Sequence, residues 1–403
     1  MTMEYGIIGD LEITLFALLD SGAFLIFSIA LAASFLVCGL NIATERWHGS
    51  LSFDTDTKGI QKVHKKTVPR TGGIAVACAV IVVPMLAGAA APHLGPGTEG
   101  YRLLVMLWLA AMPAFLAGIV EDLTKRVSVR TRLCAILTSA LLGAWFLGAL
   151  LPRLEVWGLD ALLTLLPVSV AITAFAVVGV TNSINIIDGF HGVAGSTVTI
   201  ILAGIGFLCW REGDLLLAQL AVAGMGATIG FLLLNYPTGR LFMGDGGAYF
   251  LGFWCAELAV LAIVRNPAIN PWQILAIFAY PVIEVVFSIY RRKILRDTFV
   301  GAPDRLHLHS LFYRRVARQR PGLTRHPWAC NAGVACFVTS WLGIATVSAV
   351  AVGDGVPAAL ALVALQVAAY LAIYMRLVRG HWGHCRHPAV IFGLRPQPRL
   401  ALA

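Results

Sequence analysis

Apolar runs long enough to cross a bilayer recur along almost the whole chain, and they restrict its fold more than any other feature. A helix needs about 17 or more apolar residues to span roughly 30 Å of hydrocarbon. Eleven runs reach that length, near residues 22–39, 73–91, 103–120, 133–151, 162–180, 193–210, 215–234, 248–264, 272–290, 329–352 and 356–375. None shows the alternating polarity, in segments of about ten residues, that a transmembrane barrel requires. With 58% of residues hydrophobic and only 13% charged, the expected fold is all-α, a polytopic helical bundle of about eleven transmembrane helices.

Lys and Arg indicate the orientation, because they are retained on the cytoplasmic side of bacterial-type membranes. With the N-terminus outside, 26 of the 30 Lys and Arg fall on inner connections and the C-terminal tail. The remaining four, Arg102, Arg153, Arg211 and Arg265, fall on four separate outer loops. The chain therefore reads as a multi-pass protein of a bacterial inner membrane, N-terminus outside and C-terminus cytoplasmic. Residues 1–376 are expected to form one integral-membrane domain with inner loops at 43–72, 121–132, 181–192, 235–247 and 291–328, followed by a basic cytoplasmic tail at 377–403. The net charge of +9 is then mostly an orientation signal on a face that attracts anionic lipid or anionic substrate, and is no argument for nucleic acid. No cleavable signal peptide is expected, because acidic residues precede a first run of full span length. The eight cysteines are scattered, most of them inside the runs, so neither disulfides nor a zinc site is expected.

Function must then lie in the bundle and its inner loops, where three acidic stations stand out: Glu121-Asp122, Asp188 and Asp245. Adjacent carboxylates at the edge of a low-dielectric region repel unless a divalent cation or a basic partner compensates. For Glu121-Asp122 the alternative is a helix end held by i,i+4 pairs with Lys125 and Arg126. Asn182, Asn185 and Asp188 recur at a spacing that puts two amides and a carboxylate on one helix face. Bonding between neighbouring helices is the alternative there. Asp245 is enclosed by Gly244, Gly246 and Gly247 just before an apolar run, which would expose carboxylate and N–H groups together to a metal-bound diphosphate. A helix N-cap is the plainer reading. On the same side, Arg70 and the pair Gly72-Gly73 follow Lys65, a pattern that brings N–H groups and full charges to an anion or serves only as a positive flank. Arg130 and Arg132 extend the basic surface beyond Lys125, and alternating His307 and His309 beside Arg305 can contact phosphates.

Taken together, Pro69-Arg70-Thr71-Gly72-Gly73, Glu121-Asp122, Asn182-x-x-Asn185-x-x-Asp188-Gly189, Phe242-Met243-Gly244-Asp245 and Asp304-Arg305-x-His307-x-His309 resemble the polyprenyl-phosphate N-acetylhexosamine-1-phosphate transferase family. The likeness covers about residues 25–375, in matching order. The form of the His motif looks more like the branch that initiates O-antigen (lipopolysaccharide), enterobacterial-type or capsule glycans than like the branch that makes peptidoglycan lipid I. The resemblance implies transfer of N-acetylhexosamine-1-phosphate from a UDP-sugar such as UDP-GlcNAc to undecaprenyl phosphate, releasing UMP. It also implies Mg2+ as cofactor, with Mn2+ as a substitute, and a homodimer in the lipid bilayer. By the same resemblance, Asp245 and Asn185 would ligate Mg2+, Glu121 and Asp122 would orient or deprotonate the lipid phosphate, and Asp188 would hold the nucleotide or the metal shell. Phe242 would stack on uracil; Arg305, His307 and His309 would hold the diphosphate; Asn182, His191 and Arg70 would join the nucleotide-sugar site; and Lys65, Lys125, Arg130 and Arg132 would be outer phosphate contacts.

Three positions depart from the family pattern. Glu121 stands where relatives commonly carry Asp, which shifts weight to Asp122. His191 stands where a second Asp often contacts the nucleotide, and Ser310 where a third His often follows. Competing readings are a lipid I-forming phospho-MurNAc-pentapeptide transferase and a non-enzymatic transporter or lipid-binding protein. A transporter would place its carboxylates near the midplane, usually in two repeated halves; these gather at inner ends, and no repeat is visible.

Overall fold

The computed structural model describes residues 22–52, 68–87, 94–295, 297, 304, 306–319 and 326–379. Lys65, Arg305 and the tail from residue 380 lie outside the described residues. Among the described residues every regular element is a helix, as apolar runs in lipid demand, because each backbone polar group must be satisfied within the segment.

Among the described residues, nine helices are long and apolar enough to cross a membrane: Ala23–Ala43, Glu99–Thr124, Val129–Leu147, Leu166–Ile187, Val193–Arg211, Leu215–Asn235, Gly244–Arg265, Trp328–Ala351 and Val356–Arg379. Two of the eleven expected spans differ. The run near 73–91 is helical over Gly72–Ala87, and its apolar stretch Gly72–Val83 is shorter than a span. The run near 272–290 is broken into Pro271–Ile277 and Ala279–Leu295, bent by 81°. Pro281 sits in the first turn of the second piece and has no N–H to return to the carbonyl of Ile277, so the helix turns there at little cost.

Gly244–Arg265 is the axis of the bundle: 94% of its apolar window is buried, against 17% for Val356–Arg379 and 28% for Ala23–Ala43. Between lipid-embedded helices, small residues substitute for a hydrophobic driving force by letting backbones touch. A Cβ on Gly118 would lie 2.5 Å from the Cα of Gly246, and one on Gly73 would overlap the backbone of Gly247. These contacts draw Glu99–Thr124 and Gly72–Ala87 onto the start of the axial helix. Leu166–Ile187 packs on the axial helix as well, where a Cβ on Gly252 would meet Thr181 at 2.8 Å. The ends carrying Asp122, Asp188 and Asp245 thereby meet.

Candidate active site

The axial helix begins without a side-chain cap from Met243, the residue before it. Asp122 supplies the cap from another helix. Its Oδ1 accepts the N–H of Asp245 at 3.0 Å and its Oδ2 accepts that of Gly246 at 2.9 Å. Asp122 is only 2% exposed, and the Arg70 guanidinium, 3.5 Å from Oδ1, balances its charge. Gly244 is required on two counts: its φ is 74°, and a Cβ there would sit 2.5 Å from both Asp122 Oδ2 and the Arg70 carbonyl.

These contacts correct the expectation that glycines open N–H groups to an anion. The N–H groups of Asp245 and Gly246 are spent on Asp122. Those of Gly72 and Gly73 donate to the carbonyls of Phe242 and Met243, each at 2.9 Å, while Phe242 N–H donates to the Pro69 carbonyl at 2.9 Å. The glycine-rich segments are laced to one another, and side chains are left to meet a ligand.

Asp245 presents such a side chain. Its Oδ1 accepts from Asn185 Nδ2 at 3.1 Å and its Oδ2 from Arg132 Nη1 at 2.7 Å. Tyr249, one turn further along the axial helix, donates its hydroxyl to Asn185 Oδ1 at 3.5 Å. Asp245 and Arg132 keep about a fifth of their side-chain surface open, at 20% and 21%. Asp188 caps the C-terminus of Leu166–Ile187 and is partly buried. Its pKa is pushed up to about 7, first by burial and then by the negative charge of Asp245; Arg70 pulls it down and Asp122 raises it again. The three acidic stations therefore share one electrostatic site.

Other expected residues are distributed unevenly around it. Glu121 ties down the turn after its helix, its Oε2 accepting the Val127 N–H at 2.8 Å. Lys125 and Arg130 are exposed on that turn and just beyond it. Phe242 is partly buried and meets the His191 ring edge-on at 5.3 Å. Asn182 lies one turn before Asn185 on the same helix and is partly buried. Asn235 joins the turns at Gly192 and Leu241, accepting the Gly192 N–H and donating to the Leu241 carbonyl, both at 2.7 Å.

The His loop folds against the same end. His307 Nδ1 lies 2.9 Å from Glu284 Oε1, and the N–H of Leu308 donates to both carboxylate oxygens of Glu284, at 3.2 and 3.0 Å. The His307 and His309 rings stack at 5.4 Å with 5° between their planes. A Cβ on Gly189 would lie 3.8 Å from His309 Nε2, so this loop borders the turn after Asp188. Burial drives the His309 pKa down to about 4, against the pull of Glu284 and helped by His307; near neutrality His309 is an uncharged donor or acceptor. Asp304 pairs with buried Arg291. Burial raises the Asp304 pKa, but Arg291 and then His307 outweigh it and hold it below the ordinary carboxylate value. Arg291 also donates to the Leu306 carbonyl and the Tyr374 hydroxyl, each at 2.7 Å, which fixes the base of the loop.

Tyr249, Glu284 and Arg291 acquire places here that the sequence did not assign to them, and Arg132, expected as an outer phosphate contact, lies against the Asp245 carboxylate. Tyr249 had a signal, four residues after Asp245 and so on the same helix face. Glu284 had only its isolation as a charge inside an apolar run.

Among the described residues no group of three or more His, Cys, Asp and Glu side chains is arranged to hold a metal ion by itself. Mg2+ needs only one or two protein carboxylates and completes its octahedron with water and substrate phosphates. Asp245 in contact with Asn185, with Asp188 close enough to feel its charge, is a partial oxygen-rich set of that kind.

Residues 104–263 match the family profile of glycosyl transferase family 4. The chain is similar to glycosyl transferase family 4 over that stretch. The matched stretch holds all three acidic stations together with Asn185, Arg132 and Tyr249, and the His loop lies beyond it. A relative from Bacillus subtilis (strain 168), named "Probable undecaprenyl-phosphate N-acetylglucosaminyl 1-phosphate transferase", is 29% identical over 263 residues, 63% of this chain and 68% of its own length. Proteins named "Undecaprenyl-phosphate alpha-N-acetylglucosaminyl 1-phosphate transferase" are 27% identical in Yersinia pestis, over 64% of this chain and 69% of the relative, and in Salmonella typhi, over 71% and 78%. The stretch that matches the profile thus contains the acidic site.

Proposed function

We propose that this protein transfers N-acetylhexosamine-1-phosphate from a UDP-sugar to undecaprenyl phosphate, giving undecaprenyl-diphospho-N-acetylhexosamine and UMP. The observation that carries the reading is the meeting of Asp122, Asp188 and Asp245 with Asn185 and Arg132 at one end of the bundle, in a chain whose relatives are named for that transfer. An oxygen of the lipid phosphate forms a bond to the β-phosphorus of the nucleotide sugar, and the bond from that phosphorus to the bridging oxygen breaks, leaving its electron pair on UMP. Two anions must approach each other, so catalysis is mainly positioning and charge compensation.

Within this reading Asp245 and Asn185 would hold Mg2+, which when bound supplies Lewis-acid compensation for the diphosphate. Arg132 offers a cation beside the same carboxylate and is placed to pass to a phosphate. Asp122 sets the position of Asp245 through the backbone, and Asp188, whose pKa of about 7 suits proton exchange with a phosphate, borders the acceptor. Phe242 would stack on uracil, with Asn182 and His191 beside it; Arg70, Lys125 and Arg130 would draw phosphates to the site; and His307 and His309 would meet the diphosphate. Glycan initiation at a bacterial inner membrane, in an O-antigen or capsule pathway, is the setting this chemistry fits.

The decisive assay is release of UMP by detergent-purified protein given UDP-N-acetylhexosamine, undecaprenyl phosphate and Mg2+. Release is expected, chelation should abolish it, and Asp245→Ala should insert into the membrane normally yet turn over nothing. Failure to release UMP from any UDP-N-acetylhexosamine would overturn the reading.

A further inference from the structure

Glu284 lies inside the second piece of the bent helix, is fully buried, and yet engages the His loop through three contacts. A carboxylate in that setting is costly unless donors surround it. Both of its oxygens take the Leu308 N–H, which opens the Leu308–Arg315 helix, a helix that His307 at the N-cap position does not cap with its own side chain. Capping alone needs one acceptor atom and no charge. The further contact, His307 Nδ1 to Oε1 at 2.9 Å, is the one a cap does not explain.

We propose that Glu284 is a positioning residue for His307, an inference that rests on the transfer reaction proposed above. With Glu284 accepting the Leu308 N–H at both oxygens, the Nδ1–H of His307 is the donor in their contact. This fixes the tautomer and leaves Nε2 as the ring nitrogen available to substrate. The stacked His309 ring, bordering Gly189, sets the pair beside Asp188. When His307 meets the phosphate of a bound nucleotide sugar, the carboxylate behind it holds the ring in place toward the charge that UMP carries away as it leaves. Glu284 thus acts through His307 and does not itself touch substrate.

A double-mutant cycle in the UMP-release assay tests this. Glu284→Gln should lower kcat roughly 10- to 100-fold while KM for the UDP-sugar stays within about twofold. His307→Gln should lose at least as much, and the double variant should be no slower than His307→Gln alone, because one residue works through the other. A double variant whose loss is the product of the two single losses would overturn the proposal, since an independent structural role is additive. Failure of Glu284→Gln to give monodisperse, folded protein would overturn it as well, because the isosteric amide retains an acceptor for Leu308. Wild-type release of UMP in the same assay separates failure of this inference from failure of the proposed function.

Discussion

The Arg132 guanidinium meets the Asp245 carboxylate at 2.7 Å, across 113 residues of sequence. A divalent cation drawn to Asp245 must therefore displace a cation already there. The pair is partly solvated, so its worth is about 1 kcal/mol, or roughly fivefold in affinity. Arg132→Gln is expected to tighten Mn2+ binding by about that factor in nucleotide-free protein, read by electron paramagnetic resonance, while raising KM for the UDP-sugar. Mn2+ binding that is unchanged or weaker would remove Asp245 from the cation site.

Asp122 and Glu121 are neighbours with unequal work. Asp122→Asn turns one of two buried acceptor oxygens into a donor facing an N–H, which should cost about 1–3 kcal/mol and move Asp245. Turnover should fall at least about tenfold. Glu121→Gln keeps an acceptor for Val127 and should lose little. Equal rate losses would instead mean that the two carboxylates act as a unit.

Asp188 sets a pH dependence. Its pKa is raised from the ordinary 3.8 to about 7, so below pH 7 the group is protonated and a proton competes with any cation it helps to hold. Through this group, cation affinity should weaken by up to about tenfold for each pH unit below 7 and level off above it. Mn2+ titrations at pH 6, 7 and 8 would show the slope, and Asp188→Asn should flatten it. A slope that survives in that variant would place Asp188 outside the cation shell.

Glu257 makes a different kind of prediction. It is fully buried within the axial helix, and both carboxylate oxygens have no hydrogen-bond partner among the described residues. They press on Gly143, where a Cβ would collide with the carboxyl group. Replacing an unsatisfied buried polar group by an apolar one of similar size removes a desolvation cost. Glu257→Met is therefore expected to raise the thermal midpoint in detergent by about 2 °C or more. A lower midpoint would show that the carboxyl group has a stabilising partner.

Legibility followed the range of the interaction. The apolar runs and the 182-185-188 spacing are local patterns, so the helices and the shared face of Asn185 with the Asp188 end could be read directly. The bend at Phe278 was hidden because composition along 272–290 is uniformly apolar, and only the missing N–H of Pro281 marks it. The glycines around Asp245 are visible in the sequence as a cluster, but their close approach to Gly73 and Gly118 depends on helices distant in sequence. Glu284 could not be joined to His307 for the same reason, the two residues lying on separate segments that meet only in the folded bundle.

The sequence by itself determined an all-helical membrane bundle and the residue types of its acidic and basic stations, because bilayer thickness and helical period act on contiguous residues. Only the tertiary structure decided which stations meet and what each does there. Asp122 became a cap for another helix, Arg132 a counter-charge for Asp245, and Glu284 a support for His307. Those assignments depend on the direction of side chains across packed helices, which the contacts of small residues such as Gly118 and Gly246 set and no local pattern encodes.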